Sequence, residues 1–218
     1  MNKIVIAIDG PAGAGKSTIA KIIAKELNIN YIDTGAMYRA LTLKALKNKI
    51  DFNDRASLIS LLDNTDIDYY NNHIYLDGKI VDNEIRNNEV SRNVSKIAKI
   101  KEIRVKLVEI QRKIASNKSV VMDGRDIGSY VLPDADFKFY VTASVDERSY
   151  RRYKELIAKN VNISFEQVKE EIKQRDEIDK NREFSPLIKS EDAILIDTTK
   201  RTIKECVNEI LNIIKKGM

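Results

Sequence analysis

The sequence predicts an α/β fold: a parallel five-stranded sheet flanked by helices, with a small inserted antiparallel β lobe. Three observations carry this expectation. Strand-like runs at Ile4–Ile8, Asn30–Ile32, Val120–Met122, Phe137–Val141 and Ile194–Ile196 alternate with helical stretches, the order that builds a parallel sheet covered on both faces. The first run is rich in β-branched residues and leads directly into a glycine-rich turn and then a helical pattern. Finally, Asp66–Val81 holds three short strand-like runs separated by Asn71–Asn72–His73 and Asp77–Gly78–Lys79. So many strands in so short a span can form only an antiparallel meander, and Asp77–Gly78 is a strong tight-turn signal.

The helices follow from apolar spacing. In Lys16–Leu27, Ile19, Ile22, Ile23 and Leu27 share one face. Further helices are expected at Gly35–Lys47, Arg55–Leu62, within Ile100–Ala115, and at Asp146–Ala158, Phe165–Asp179 and Thr202–Ile214. The last carries Ile203, Cys206, Val207, Ile210, Leu211 and Ile214 at helical spacing, so Cys206 reads as a small buried apolar residue. The 218 residues suit a single domain, with the β lobe inserted at residues 63–86.

Composition narrows the function classes. A net charge of +5 invites a nucleic-acid reading, but the lysines are interspersed with Asp and Glu, with few aromatics to stack on bases. No nucleic-acid partner is expected. The lone cysteine rules out an intrachain disulfide, and the lone histidine, His73, sits in a turn between strand-like runs where polar surface is the plain reading. His-dependent triads and His-rich metal sites have little to draw on. No apolar run approaches the ~20 residues needed to span a bilayer, and the first strand begins too early for a signal peptide. A cytoplasmic protein with no membrane partner is expected.

Residues 10–18, GPAGAGKST, match the phosphate-binding pattern G-x-x-x-x-G-K-[ST] in its required context, strand before and helix after. Gly10, Gly13 and Gly15 allow positive φ and close approach of a ligand. The backbone N–H groups of Pro11-Ala12-Gly13-Ala14-Gly15, Pro11 excepted, and of the helix start at Lys16, Ser17 and Thr18 can converge on an anion. Lys16 adds a charge for the β/γ-phosphates, and the Ser17 hydroxyl can hold Mg²⁺. The fold class is therefore of the P-loop NTPase type, with ATP or another nucleoside triphosphate and Mg²⁺ as ligands.

Other residues look placed for a second ligand, at the strand C-terminal ends where α/β sheets bind. Asp33–Thr34–Gly35 follows the second strand; Thr34 is either a ligand contact or a helix N-cap. Arg39 is harder to explain as a cap, because a cation near a helix start opposes the dipole. Val120–Met122 runs into Asp123-Gly124-Arg125-Asp126-Ile127-Gly128, dense in charge. Asp123 could orient Mg²⁺ through water, and Arg125 could hold a phosphate or pair with a neighbouring Asp. Arg148, Arg151 and Arg152 share one helix, and Arg175, Asp179 and Arg182 recur at i, i+4 and i+7. Phosphoryl transfer asks for positioned cations of this kind rather than a protein nucleophile.

With IDGPAGAGKST, DTGAMYR, EIRNNEVS, DGRDIG followed by PDA, RDEIDKNR and SPL…DAILIDT in view, the chain resembles the bacterial cytidylate kinases over essentially its whole length. The resemblance implies phosphoryl transfer from ATP to CMP or dCMP, a role in pyrimidine nucleotide metabolism, a short helical lid near residues 148–163, and a monomer. It assigns Thr34, Arg104, Asp126 and Arg182 to the cytosine edge and Ser95, Arg175 and Asp179 to the ribose. Arg39 and Arg125 would contact phosphate, Arg175 being shared, and Tyr38 would pack near the base. Lys16, Arg125 and the lid arginines Arg148, Arg151 and Arg152 form the implied catalytic set, one of the last three closing over the transferring group. A carboxylate suits the cytosine amino group; uracil would face it with a second acceptor, a mismatch of about 1–3 kcal/mol. Ser129–Tyr130, after DGRDIG, departs from the smaller or β-branched residues expected there.

Rival readings are a P-loop kinase for UMP, AMP or shikimate, a GTPase switch, and an RNA-binding module. Asn48-Lys49-Ile50-Asp51 does spell the guanine-reading N-K-x-D, but it trails an early helix instead of ending a late strand. The RNA reading lacks a basic aromatic platform.

Overall fold

A computed structural model of the chain describes residues 3–217. In chain order the elements are β1 (Val5–Asp9), α1 (Lys16–Glu26), β2 (Asn30–Asp33), α2 (Thr34–Lys47) and α3 (Arg55–Asp63). Then come β3 (Ile67–Tyr70), β4 (His73–Leu76), β5 (Lys79–Ile80), α4 (Asn88–Ala98), α5 (Lys101–Ala115) and β6 (Val120–Asp123). The chain closes with β7 (Phe137–Thr142), α6 (Val145–Ala158), α7 (Phe165–Asn181), β8 (Ile194–Asp197) and α8 (Ile203–Gly217). The contacts divide it into two compact bodies, Met1–Tyr31 with Ser119–Met218, and Ile32–Lys118.

The main sheet has the order β2-β6-β1-β7-β8 and is parallel, as the alternation of strands and helices requires. In the first body, β1 lies between β6 and β7 and is therefore apolar on both faces, Ile6, Ala7 and Ile8 all being fully buried. One face of the sheet is covered by α1 and α8: Ile19, Ala20 and Ile23 meet Val121, Phe139, Cys206, Val207, Ile210 and Ile214 in one core. Cys206 is buried there, as its position on the α8 stripe predicts. A second, small core of Leu156, Ile163, Val168 and Ile172 joins α6 to α7. Ser164 and Gln167 form a reciprocal capping box at the start of α7.

In the second body, α2 packs against α4 and against the three-stranded sheet β3-β4-β5, the expected meander. Both hairpin turns have adjacent residues at positive φ, Asn71 and Asn72 (50° and 63°) and Asp77 and Gly78 (50° and 75°). This is the twist that two-residue hairpins demand and that Asn, Asp and Gly tolerate. Asn48–Asp51 is the C-terminal stop of α2. Lys49 takes φ 54°, and the Ile50 N–H donates to the Ala45 carbonyl at 3.0 Å, closing the last turn.

Three local expectations need correction. Thr34 is not the N-cap of α2; Asp33 is, its Oδ1 accepting from the Ala36 N–H at 3.0 Å. His73 is the first residue of β4, not a turn residue, and its Nδ1 lies 2.5 Å from Asp82 Oδ2. Finally, α4 is a helix that periodicity did not single out. Asparagine and serine dilute its propensity, but Asn87 caps it by accepting from the Val90 N–H at 2.7 Å, and Val90, Val94 and Ile97 bury one face.

Candidate active site

The end of β1 delivers the chain into a backbone cradle. Gly10, Gly13 and Gly15 take φ values of 143°, 75° and 89°, and a Cβ on Gly10 would stand 1.9 Å from the Val141 carbonyl oxygen. Gly15 is the N-cap of α1 and no side chain caps that helix, so its first N–H groups remain available to an anion. Side chains brace the loop through its carbonyls. Arg148 Nη1 donates to Ala12 O (3.1 Å), Thr198 Oγ1 to Ala14 O (3.2 Å), and Lys16 Nζ to Pro11 O (2.8 Å). Burial and the neighbouring Arg125 push the Lys16 ammonium well below the usual lysine range, with Asp123 opposing.

The end of β6 is built from side chains instead. Asp123 accepts from Ser17 Oγ and from the Tyr31 hydroxyl, each at 2.8 Å. Arg125 does not pair with either neighbouring Asp; its Nε donates to Asp179 Oδ2 on α7 at 2.7 Å. Burial alone would raise the Asp179 carboxyl, but Arg125 and Arg175 outweigh it and hold it below the usual carboxylate range. Arg175 Nε lies 4.0 Å from the same carboxylate. Arg182 Nη2 is 3.5 Å from Asp126 Oδ1, and both side chains are buried. The chain thus collects Lys16, Ser17, Asp123, Arg125, Asp126, Arg175, Asp179 and Arg182 in one body.

In the second body, Asp33 is flanked by two arginines, Arg86 Nη2 at 2.7 Å and Arg39 Nη1 at 3.7 Å. Burial raises its carboxyl, yet Arg39 and Arg86 together bring it below the ordinary value. The dipole penalty on Arg39 is thereby offset by the capping carboxylate, 3.7 Å from its guanidinium. A Cβ on Gly35 would sit 3.1 Å from both Arg39 Nη1 and Asp33 Oδ1, so glycine leaves the space in which the two meet. Arg104 is fully buried, donates Nη1 to Ala98 O at 3.0 Å, and places its guanidinium 5.3 Å from the Tyr38 ring centroid. Thr34 and Ser95 are buried on α2 and α4.

The three arginines of α6 differ sharply. Arg148 is 4% exposed and its donors reach Ala143 O (2.9 Å), Ala12 O and Asp176 Oδ2 (2.7 Å). Arg151 bonds Glu147 and, through both terminal nitrogens, Thr198. Arg152 pairs with Glu155 on the same helix at 2.8 Å.

Several members of this constellation escaped the sequence reading. Asp9 is buried and accepts from the N–H groups of Ile127 and Gly128, both at 2.8 Å. Burial dominates over those bonds and raises its carboxyl to about 7. Tyr31, Arg86, Asp176, Ser185 and Thr198 likewise act through partners remote in sequence. A polar residue at the C-terminal end of a sheet strand was the available signal for Asp9; Tyr31 looks like ordinary strand alternation. For a metal, Ser17 and Asp123 offer hard oxygen donors of the kind Mg²⁺ takes alongside phosphates. Among the described residues, no group of three or more His, Cys, Asp or Glu side chains is arranged to hold an ion.

A parallel α/β sheet carrying this loop, with a second charged turn beside it, defines a P-loop phosphotransferase. The model of the cytidylate kinase family matches residues 6–216, and the chain belongs to that family. A cytidylate kinase of Clostridioides difficile (strain 630) is 60% identical over 212 residues, covering 97% of this chain and 98% of its own. One from Alkaliphilus oremlandii (strain OhILAs) is 54% identical over 215 residues, covering 99% of each. An uncharacterized protein from Eubacterium ventriosum ATCC 27560 shares the fold, with a TM-score of 0.56 at 16% identity over 98% of this chain and 99% of that one. No helix among the described residues is long and apolar enough to cross a membrane.

Proposed function

We propose that the chain transfers the γ-phosphoryl group of ATP to CMP or dCMP, forming ADP and CDP or dCDP. One observation supports this above the rest. β1 and β6 pair in register with Ile8 opposite Asp123, and the Gly124 N–H donates to Ile8 O at 3.0 Å. The phosphate cradle and the Asp123–Gly128 turn therefore leave the sheet side by side, a donor site next to a turn of fixed charges.

The loop N–H groups and Lys16 bind the ATP phosphates. Ser17 would hold Mg²⁺, with Asp123 orienting the ion through water, and the ion would supply neutralisation of phosphate charge. Arg125, fixed by Asp179, faces the acceptor phosphate. Its attacking oxygen is anionic near neutral pH, so no strong general base is needed. Asp126 and Arg182 read the cytosine and Arg175 and Asp179 the ribose, Arg175 also serving phosphate. In the second body, Thr34 and Arg104 carry cytosine roles, Ser95 a ribose role, Arg39 a phosphate role, and Tyr38 packs near the base. Of the α6 arginines, Arg148 holds the loop through Ala12, while Arg151 and Arg152 are the ones to approach the transferring group as residues 148–163 close as a lid. The protein works as a monomer in the cytoplasm.

An ADP-release assay with ATP and CMP, dCMP, UMP, AMP, GMP or shikimate tests the assignment. CMP and dCMP should exceed UMP in kcat/KM by about tenfold or more. A better acceptor among the other four would replace this reading with that of a kinase for that compound.

A further inference from the structure

Asp126 and Arg182 are joined by a third residue. The Ser185 hydroxyl donates to Asp126 Oδ2 at 2.5 Å, and the Ser185 carbonyl accepts from Arg182 Nε at 2.6 Å. One residue thus bonds both side chains, through its hydroxyl to one and its backbone to the other. Ser185 does this at φ 52°, a left-handed conformation that a non-glycine residue keeps only where its surroundings over-determine it. Two further contacts hold the segment. The Leu187 N–H donates to Asp179 O at 2.7 Å, and the Phe184 ring meets Tyr130 edge-on, centroids 5.1 Å apart. Tyr130, the departure noted after DGRDIG, is therefore the anchor for the residue preceding Ser185.

We infer that Ser185 is a positioning residue that sets the discrimination between cytosine and uracil by fixing the Asp126 carboxylate and the Arg182 guanidinium. The inference rests on the reading of that pair as the cytosine contacts. With Oδ2 bound to the Ser185 hydroxyl and Oδ1 3.5 Å from Arg182 Nη2, the carboxylate is held in one orientation, which fixes the direction in which it accepts the cytosine 4-amino hydrogen. Uracil presents a carbonyl to that fixed acceptor. Without the hydroxyl the carboxylate loses one of the bonds that orient it and is held less tightly: CMP loses an aligned acceptor and UMP loses a repulsion, so both changes lower the preference.

The test compares Ser185→Ala, which keeps the Cβ, with Ser185→Gly, which suits the left-handed backbone. Each is assayed for kcat/KM with CMP and UMP, for the KM of ATP, and for Tm. The expected result is a fall of about tenfold or more in the CMP/UMP ratio in both variants, carried mainly by the KM for CMP, with the KM for ATP unchanged. An unchanged ratio in Ser185→Gly overturns the proposal, as does an equal loss with both acceptors. The underlying reading fails separately: the wild-type enzyme would show no preference for CMP, or Asp126→Asn would retain it.

Discussion

At the end of β1 the chain forms a cradle of bare backbone, while at the end of β6, on the adjacent strand, it forms a turn of held charged side chains. The first junction depends on three glycines with positive φ and an uncapped helix start. The second depends on Asp123, Arg125 and Asp126, each held by a residue far along the chain: Ser17, Asp179 and Ser185. Backbone dipoles treat every polyphosphate alike, whereas oriented side chains distinguish one base edge from another. The contrast matches a common donor and a particular acceptor.

Removing the backbone device should have the largest effect. In Gly10→Ala the new Cβ meets the Val141 carbonyl oxygen at 1.9 Å, at φ 143°. Neither the β7 backbone nor the angle can yield cheaply, so a loss of about 4 kcal/mol or more is expected, along with ATP binding. Urea denaturation and nucleotide titration check it. A variant with wild-type stability would show that the cradle is not shaped by backbone approach at all.

The two junctions are also tied to each other, and that tie titrates. Asp9, the last residue of β1, accepts from the Ile127 and Gly128 N–H groups, and burial raises its carboxyl from 3.8 to about 7. Between those values the folded chain binds a proton that the unfolded chain has released. Its contribution is therefore full below about pH 4 and is lost as pH rises to about 7, on the order of 4 kcal/mol across the window. Asp9→Asn does not titrate. Its Tm relative to wild type should climb between about pH 5 and pH 8; a difference independent of pH would place the proton elsewhere.

The same contrast explains what was legible in the sequence. The demands of the phosphate cradle fall on consecutive residues, so the Gly10–Ser17 spacing announces both its shape and its ligand. The charge density of Asp123–Asp126 was equally visible, but its wiring was not. Arg125 looked to its neighbours for a partner and found Asp179, 54 residues away. Resemblance pointed to Asp179 and Arg182 as ligand contacts, and to SPL only as a matching string. That Ser185 bridges Asp126 and Arg182 depends on where α7 ends against the Asp126 turn, which no local pattern encodes. β1 and β6 were legible to within a residue because burial on both faces leaves uninterrupted apolar runs, whereas the edge strand β8 keeps its apolar run with Ile194 and Leu195 exposed. By contrast α4 depends on a cap and three apolar contacts that outweigh poor propensity.

The smallest expected effect is the control for the first. Gly128, in the turn after β6, has no positive φ, and its added Cβ would meet Lys138 Cδ at 3.1 Å and Cγ at 3.3 Å, with Asp9 Oδ2 at 3.5 Å. The crowding atoms belong to a flexible side chain whose far end pairs with the exposed Asp192, a bond of little net worth at the surface. A shift of a few tenths of an ångström in that stem accommodates the methyl group. Gly128→Ala should therefore change stability by no more than about 1 kcal/mol and leave the CMP/UMP preference intact. Measured beside Gly10→Ala by the same denaturation and acceptor assays, it separates a junction that needs bare backbone from one that needs only its charges held. A loss as large as that of Gly10→Ala would mean that the second turn, too, is built on backbone approach.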